Sequence, residues 1–312
     1  MRAVVLVDEA ASSPELVELE KPEPGEGEIR VKVGAASVNG FDLAVAAGHT
    51  KGLVEQAYPT VLGKDFAGTV DALGAGVSEY SVGDRVFGTV TKPVIQDGSF
   101  AEYVTVPVGM GVARLPKTVS FVNGAALGLA GSAAYAAFEG AQIGLEHTVL
   151  VVGATGGVGQ QVVQLAAATG ATVTATAMSA AGAAAVTGLG ASRVIDPADG
   201  DVAAQTRRVY PEGVDVVVHL AGDVGVVSAV REGGTFVSTL VYSPEQVPND
   251  AVSVVPVMAA PTPDRLTQIA ADHAEGRTKV SVQATYTLDQ VPEAFAAFAA
   301  GTLGKLVVTV AE

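Results

Sequence analysis

The chain has 312 residues, 49% of them hydrophobic, and a formal net charge of −15. That balance disfavours nucleic acid and anionic membrane as partners, since both are held by basic patches. There is no cysteine, which removes disulfides, thiolate nucleophiles and cysteine-bound zinc together.

The length allows two domains, each with its own core. The opening Met1-Arg-Ala-Val-Val-Leu-Val7 runs directly into Asp8 and Glu9, so it predicts a first strand and no secretory signal, with the cytoplasm as the expected compartment. Short apolar or alternating runs at 4–7, 28–33, 68–73, 85–90 and 101–106 predict a β-rich first domain. They are separated by turn chemistry at Pro22-Glu-Pro-Gly25, Gly74-Ala-Gly76, Ser81-Val-Gly-Asp84 and Asp97-Gly98. Arg114-Leu-Pro116 reads as a hinge. From Phe121 the pattern alternates helix with strand, the strands falling near Thr148, Ala171, Ser192, Val214 and Gly234, which is the signature of a parallel α/β sheet. The tail, with a strand at 283–287, a helix at 290–300 and a strand at 305–310, returns to the first pattern. The expected division is therefore 1–118 completed by 281–312, and 119–280. His49, His147, His219 and His273 have no metal-ligand spacing and read as surface or packing residues.

The stretch 148–176 carries the chemistry. The apolar strand Thr148-Val-Leu-Val-Val152 leads into Gly153-Ala-Thr-Gly-Gly-Val-Gly159, a helix at 158–169 ending at Gly170, and a second strand Thr172-Val-Thr-Ala-Thr176. Strand, small-residue loop, helix and strand in that order predict a dinucleotide site, the alternative being a purely structural turn, which favours glycine for the same local reasons. Backbone N–H groups of Ala154, Thr155, Gly156, Gly157, Val158 and Gly159 would face the pyrophosphate at the helix N-terminus. Against the G-x-G-x-x-G fingerprint the key positions are Ala154, Gly156 and Gly159, the first glycine being replaced. After the second strand comes Ala177-Met178-Ser179, with no carboxylate to repel a 2′-phosphate. Thr176 and Ser179 could bond to one, although no Lys or Arg lies between Thr148 and Arg193. This predicts NADPH as cofactor, through the absence of a repulsive group. Leu220, Ala221, Thr239 and Leu240 follow later strands, where backbone groups would complete the cofactor crevice.

Several landmarks taken together resemble the zinc-independent medium-chain dehydrogenase/reductases of the quinone oxidoreductase (zeta-crystallin-like) branch. They are Pro22-Glu-Pro-Gly25, Ala36-Ser-Val-Asn39, Leu62-Gly-Lys-Asp-Phe-Ala-Gly68, Val82-Gly-Asp-Arg-Val-Phe-Gly88, Gly98-Ser-Phe-Ala-Glu-Tyr103, the glycine-rich loop, 190–196 and Gly304-Lys-Leu-Val-Val308. The resemblance implies an α/β protein: a Rossmann doubly wound parallel sheet domain beside a β-rich GroES-like catalytic domain. It also implies a homodimer formed through edge strands of the nucleotide domain.

By the same resemblance, Asn39 stands where zinc alcohol dehydrogenases place a metal-binding cysteine, and Lys64 where they place a histidine. No zinc is expected. Without a metal to polarise a simple carbonyl, the acceptor must be activated already, as quinones and α,β-unsaturated carbonyls are. The expected reaction is hydride transfer from NADPH to such an acceptor in a cleft between the domains. Asn39 could bond to a ribose or a substrate oxygen, or could stabilise a turn. Asp42 is a second polar candidate or a helix-start residue. Lys64 could stabilise a developing oxyanion, or pair with Asp65 or Asp42. Ala133 replaces a family threonine that touches the nicotinamide amide, with Ser132 as a possible substitute, and Pro197 replaces a family tyrosine near the adenosine end. Two rivals stay open: a nucleotide-binding protein with little turnover, and a pathway-specific enoyl or enone reductase.

Overall fold

In the computed structural model, which describes residues 1–11 and 13–310, turn residues cut the first third of the chain into short strands. These are β1 (Arg2–Leu6), β2 (Glu15–Glu18), β3 (Glu28–Ser37), then helix α1 (Gly40–Ala46), β4 (Thr60–Val61), β5 (Asp65–Leu73), β6 (Arg85–Thr89), β7 (Tyr103–Pro107) and β8 (Val112–Arg114). Helix α2 (Phe121–Gly140) follows. Strands β1, β2 and β4 form a small antiparallel sheet in the order β2-β1-β4. β3 and β5 extend beyond the runs expected at 28–33 and 68–73, so Ser37 and Asp65 face each other in register. β2, β4 and β8 are too short to announce themselves in the sequence.

Next come β9 (Thr148–Val152), α3 (Gly157–Ala168), β10 (Thr172–Thr176), α4 (Ala180–Gly188), β11 (Arg193–Ile195), α5 (Val202–Val209), β12 (Val214–His219), β13 (Val230–Ser238) and β14 (Ser253–Pro256). All pair in parallel, in the order β11-β10-β9-β12-β13-β14. Because side chains alternate along a strand, Val149, Val151, Val216 and Val218 enter one core with Val162, Val163 and Ala166 of α3, while Leu150, Val152, Val217 and Phe236 enter another. Both faces are thus covered, as a parallel sheet requires. The strand order reverses between β9 and β12, and that switch point is where such sheets bind ligands.

The chain closes with α6 (Pro263–Ala274), β15 (Val282–Thr287), α7 (Val291–Ala299) and β16 (Lys305–Thr309). β16 pairs with β3, giving a third sheet β15-β16-β3-β5-β6-β8, with β7 also on β3. Its core includes Phe66, Phe100, Leu288 and Leu306. The two compact units are Met1–Ser132 with Pro261–Glu312, and Ala133–Ala260. The divisions fall later than 118 and earlier than 280 because α6 and the first half of α2 pack with the β-rich unit. Leu129 N–H donates to Asp65 Oδ1 at 2.7 Å, and Gly111 N–H donates to the Pro261 carbonyl at 2.9 Å. α2 is long and apolar enough to cross a membrane, yet 67% of its most apolar window is buried, as in a core helix.

Candidate functional site

A crevice of about 500 Å³ opens at the C-terminal ends of β9, β10 and β12. Thr155, Thr176 and Ala221 of the expected cofactor residues line it, together with Gly153, Met178, Pro197, Asp201, Gly222 and Asp223. The sharp turn falls to Gly153, at φ +83°. That explains why position 154 tolerates alanine: Ala154 is wholly buried and packs into the sheet's core. A Cβ at Gly159 would lie 2.3 Å from the Gly153 carbonyl oxygen, so this glycine lets α3 close on the loop. A Cβ at Gly156 would meet nothing nearer than 3.6 Å, leaving its approach open. The first bond into α3 joins Gln160 N–H to the Gly156 carbonyl at 3.0 Å. The N–H groups of Gly157, Val158 and Gly159 therefore have no acceptor within the helix. Gln160, which sequence reasoning passed over, fixes the loop by donating from Nε2 to the Thr155 carbonyl at 2.8 Å. Open approach, free amides and crevice fit a pyrophosphate.

Other expected cofactor residues do different work. The Thr176 hydroxyl accepts from Gly153 N–H at 3.0 Å and so shapes the loop. Ser179 caps α4, accepting from Gly182 N–H at 3.1 Å. Leu220, Thr239 and Leu240 do not line the crevice, and neither do Ala154, Gly156, Gly157, Val158, Gly159 and Ser179, of which the loop residues can offer a ligand only their backbone at its edge. The end of β10 is free of acid, but Asp201 and Asp223 on the crevice wall are the charged side chains among its described lining residues, with no Lys or Arg. Each also caps a following turn, Asp201 accepting from Ala204 N–H and Asp223 from Gly225 N–H.

The β-rich unit holds a second polar centre. Asp65, fully buried, accepts from Ser37 Oγ at 2.8 Å, Asn39 Nδ2 at 2.9 Å, Thr89 Oγ1 at 3.1 Å and Leu129 N–H. Its counter-ion is Lys305, with Nζ 3.5 Å away. Lys305 also donates to Asn39 Oδ1 at 2.6 Å and to the Val38 carbonyl at 3.0 Å. Burial lowers its pKa, against the pull of Asp65 and Asp42. Both N–H groups of the Asn39 amide are committed, to Asp65 and to the Ser37 carbonyl. Asn39 consequently has no donor left for a substrate oxygen; a lone pair on Oδ1 is its free capacity.

Asp42 accepts Asn39 N–H at 2.8 Å, the helix-start role, and is 1% exposed. Burial raises its carboxyl to about 7. Lys64 makes neither of the ion pairs considered for it. Its Nζ donates to the Val90 carbonyl at 2.8 Å and sits 4.7 Å above the Phe41 ring. Burial lowers its pKa, with Asp42 and Asp65 opposing. Asp42, Phe41 and Lys64 border a cavity of about 20 Å³, roughly the room of one water. Ser132 cannot donate in place of the missing threonine, since its hydroxyl donates to the Gly128 carbonyl at 2.8 Å.

Residues 25–117 match the alcohol dehydrogenase GroES-like domain, and residues 189–308 the zinc-binding dehydrogenase domain. A zinc-type alcohol dehydrogenase-like protein of Schizosaccharomyces pombe is 36% identical over 206 residues, 65% of this chain. The match spans 57% of that protein's length. The quinone oxidoreductase of Coxiella burnetii superposes with a TM-score of 0.89 at 25% identity, covering 100% of this chain and 99% of that one. An NAD-dependent alcohol dehydrogenase does so with a TM-score of 0.88 at 28% identity, covering 100% of both chains. The chain belongs to the medium-chain dehydrogenase/reductase family of oxidoreductases. Zinc, however, does not fit its residues: an ammonium and an occupied amide stand at Lys64 and Asn39, and no group of three metal-ligating side chains exists among the described residues.

Proposed function

We propose that the chain is a zinc-independent reductase that passes hydride from a nicotinamide dinucleotide to a quinone or an α,β-unsaturated carbonyl. The observation that carries this reading is the pyrophosphate-ready loop, Gly153 to Gly159; the polar centre of the β-rich unit, taken by itself, is unsuited to metal. When bound, the dinucleotide supplies the hydride. The free amides of Gly157, Val158 and Gly159 would hold its pyrophosphate, and Thr155 and Ala221 line the adjoining crevice. NADPH is the preferred form, admitted by the acid-free end of β10. With no cation in the crevice and with Asp201 and Asp223 on its wall, that preference stays below about tenfold.

On the acceptor side, reduction of a quinone or an α,β-unsaturated carbonyl would place an electron pair on its oxygen. Lys64 Nζ, which keeps two N–H groups beyond its bond to Val90, stabilises that oxyanion and can release a proton to it; its lowered pKa favours the release. The Asp65–Lys305 pair keeps Asn39 and α1 in place. The open edge of β14, with Met258 79% and Tyr242 77% exposed, supports a homodimer, which light scattering tests.

Titration of the protein with NADPH and NADH by nicotinamide fluorescence, followed by benzoquinone or phenanthrenequinone, tests the reading. Acceptor-dependent loss of nicotinamide absorbance is the expected result. Binding without oxidation of any quinone or enone would transfer the chain to the non-catalytic nucleotide binders, and oxidation by a single enone to the pathway-specific reductases.

A further inference from the structure

His219 ends β12 and is 2% exposed. A buried imidazole needs a partner at each nitrogen, and both are present. Nε2 lies 3.2 Å from the Gly222 carbonyl oxygen, and Nδ1 lies 3.0 Å from Ser238 Oγ. A carbonyl can only accept, so Nε2 carries the proton and Nδ1 accepts from the Ser238 hydroxyl. Ser238 Oγ accepts in turn from Leu240 N–H at 3.0 Å. Hydrogen bonds therefore run in one direction from Leu240 through Ser238 and His219 to Gly222. The ring is also stacked on Phe236, with centroids 5.3 Å apart, which fixes its plane.

The ends of this relay are the two segments that leave β12 and β13 on the crevice side of the sheet. Gly222, at φ +82°, lines the crevice with Ala221 and Asp223. Leu240 is the second residue after β13. A neutral imidazole satisfies the relay at every member. A protonated one would point Nδ1–H at Ser238 Oγ, leaving the serine proton without its acceptor. Burial pushes the His219 pKa down and keeps the ring neutral, against the Gly222 carbonyl and the charge of Asp223.

We infer that His219 is a positioning residue for the dinucleotide, tying the 220–223 turn to the segment at Leu240 so that the crevice wall is set before the ligand arrives. The inference rests on the dinucleotide reading above, and its test reads binding alone, without any acceptor. His219→Phe keeps the stack and removes both links. His219→Asn places an acceptor near the Nδ1 position and keeps the Ser238 link; His219→Gln places a donor near the Nε2 position and keeps the Gly222 link. Fluorescence titration with NADPH and NADH should give a Kd about tenfold weaker for His219→Phe, the equivalent of one to two hydrogen bonds. The Asn and Gln variants should each recover about threefold of that loss. Ser238→Ala, which leaves the ring in place and cuts the link to Leu240, should weaken binding about threefold and serves if His219→Phe fails to fold. If Tm falls in the variants while every Kd stays within about twofold of the parent, His219 is a packing residue and the inference is wrong. A parent protein that binds neither dinucleotide overturns the reading beneath the inference and the inference with it.

Discussion

Replacing Asp42 by asparagine should make the protein more stable, and only above mildly acidic pH. The carboxyl is buried, and burial is the main cause of its rise from 3.8 to about 7; Asp65 adds to the rise, while Asn39 N–H, Lys305 and Lys64 oppose it. An acid whose folded pKa lies above its unfolded value takes up a proton on folding between the two. Its contribution is most favourable below the unfolded pKa, declines as pH rises toward about 7, and stays low beyond. A shift of about three units corresponds to about 4 kcal/mol as an upper bound. Asparagine is neutral throughout and still offers Asn39 N–H an acceptor. The difference in unfolding free energy, variant minus parent, should be near zero at about pH 4 and reach about 2–4 kcal/mol at about pH 8. Guanidinium unfolding followed by circular dichroism measures it, since the chain has no tryptophan. If the two units unfold in separate steps, the effect belongs to the β-rich unit. His219 and His273, both pushed down mainly by burial, give stability that rises with pH across the ordinary histidine range, but equally in both proteins. A difference that stays flat across this pH range would mean that the Asp42 carboxyl is ionised at no cost, and the account of its burial would be wrong.

Gly156→Val should fold normally, because its Cβ meets nothing closer than 3.6 Å, yet weaken dinucleotide binding by about tenfold to a hundredfold, as expected for one charge-assisted hydrogen bond lost at a blocked pyrophosphate. Gly159→Ala, whose Cβ would sit 2.3 Å from the Gly153 carbonyl oxygen, should lower Tm as well, and the two measurements together distinguish loop access from helix packing. Lys64→Met keeps the contact with Phe41 and removes the charge; kcat should fall while dinucleotide Kd holds, and unchanged kcat would remove Lys64 from the chemistry. Asp215→Asn should cost about 1–2 kcal/mol at neutral pH. Burial works against the Asp215 carboxylate but is outweighed by bonds from Thr148 Oγ1, Thr148 N–H and Arg231, which hold it at about 2. That stability is present above the unfolded pKa and should vanish as pH falls toward about 2, where denaturation curves of parent and variant should meet.

The dinucleotide loop was legible because everything that makes it lies within one strand, one turn and one helix. Periodicity marked β9, α3 and β10 to within a residue or so, and alternation of strand with helix gave the parallel sheet. Interactions between distant residues were not legible. Lys305 meets Asn39 across 266 positions, and no local pattern tells a lysine in a closing strand that it neutralises a buried aspartate near the start. Lys64 misled for the same reason: Asp65 is its neighbour in sequence, but alternation along the chain sends the two side chains to different surroundings, one to Val90 and one to Lys305. The fingerprint placed the first turn at position 154, whereas backbone conformation assigns it to Gly153. Orientation also mattered for Asn39, whose residue type offers two donors and whose neighbours already occupy both.

Lys305 also imposes an order of events on synthesis. A growing chain completes every strand of the parallel sheet before β16 exists, so the nucleotide unit can fold while the unit that hosts Asp65 still lacks its last central strand. Until residue 305 leaves the ribosome, Asp65 lacks its ion-pair partner, and a buried carboxylate without one resists burial. The β-rich half is begun first but cannot complete its polar centre until β16 is added, and a product truncated before β16 would carry the nucleotide loop on a scaffold with no finished polar centre.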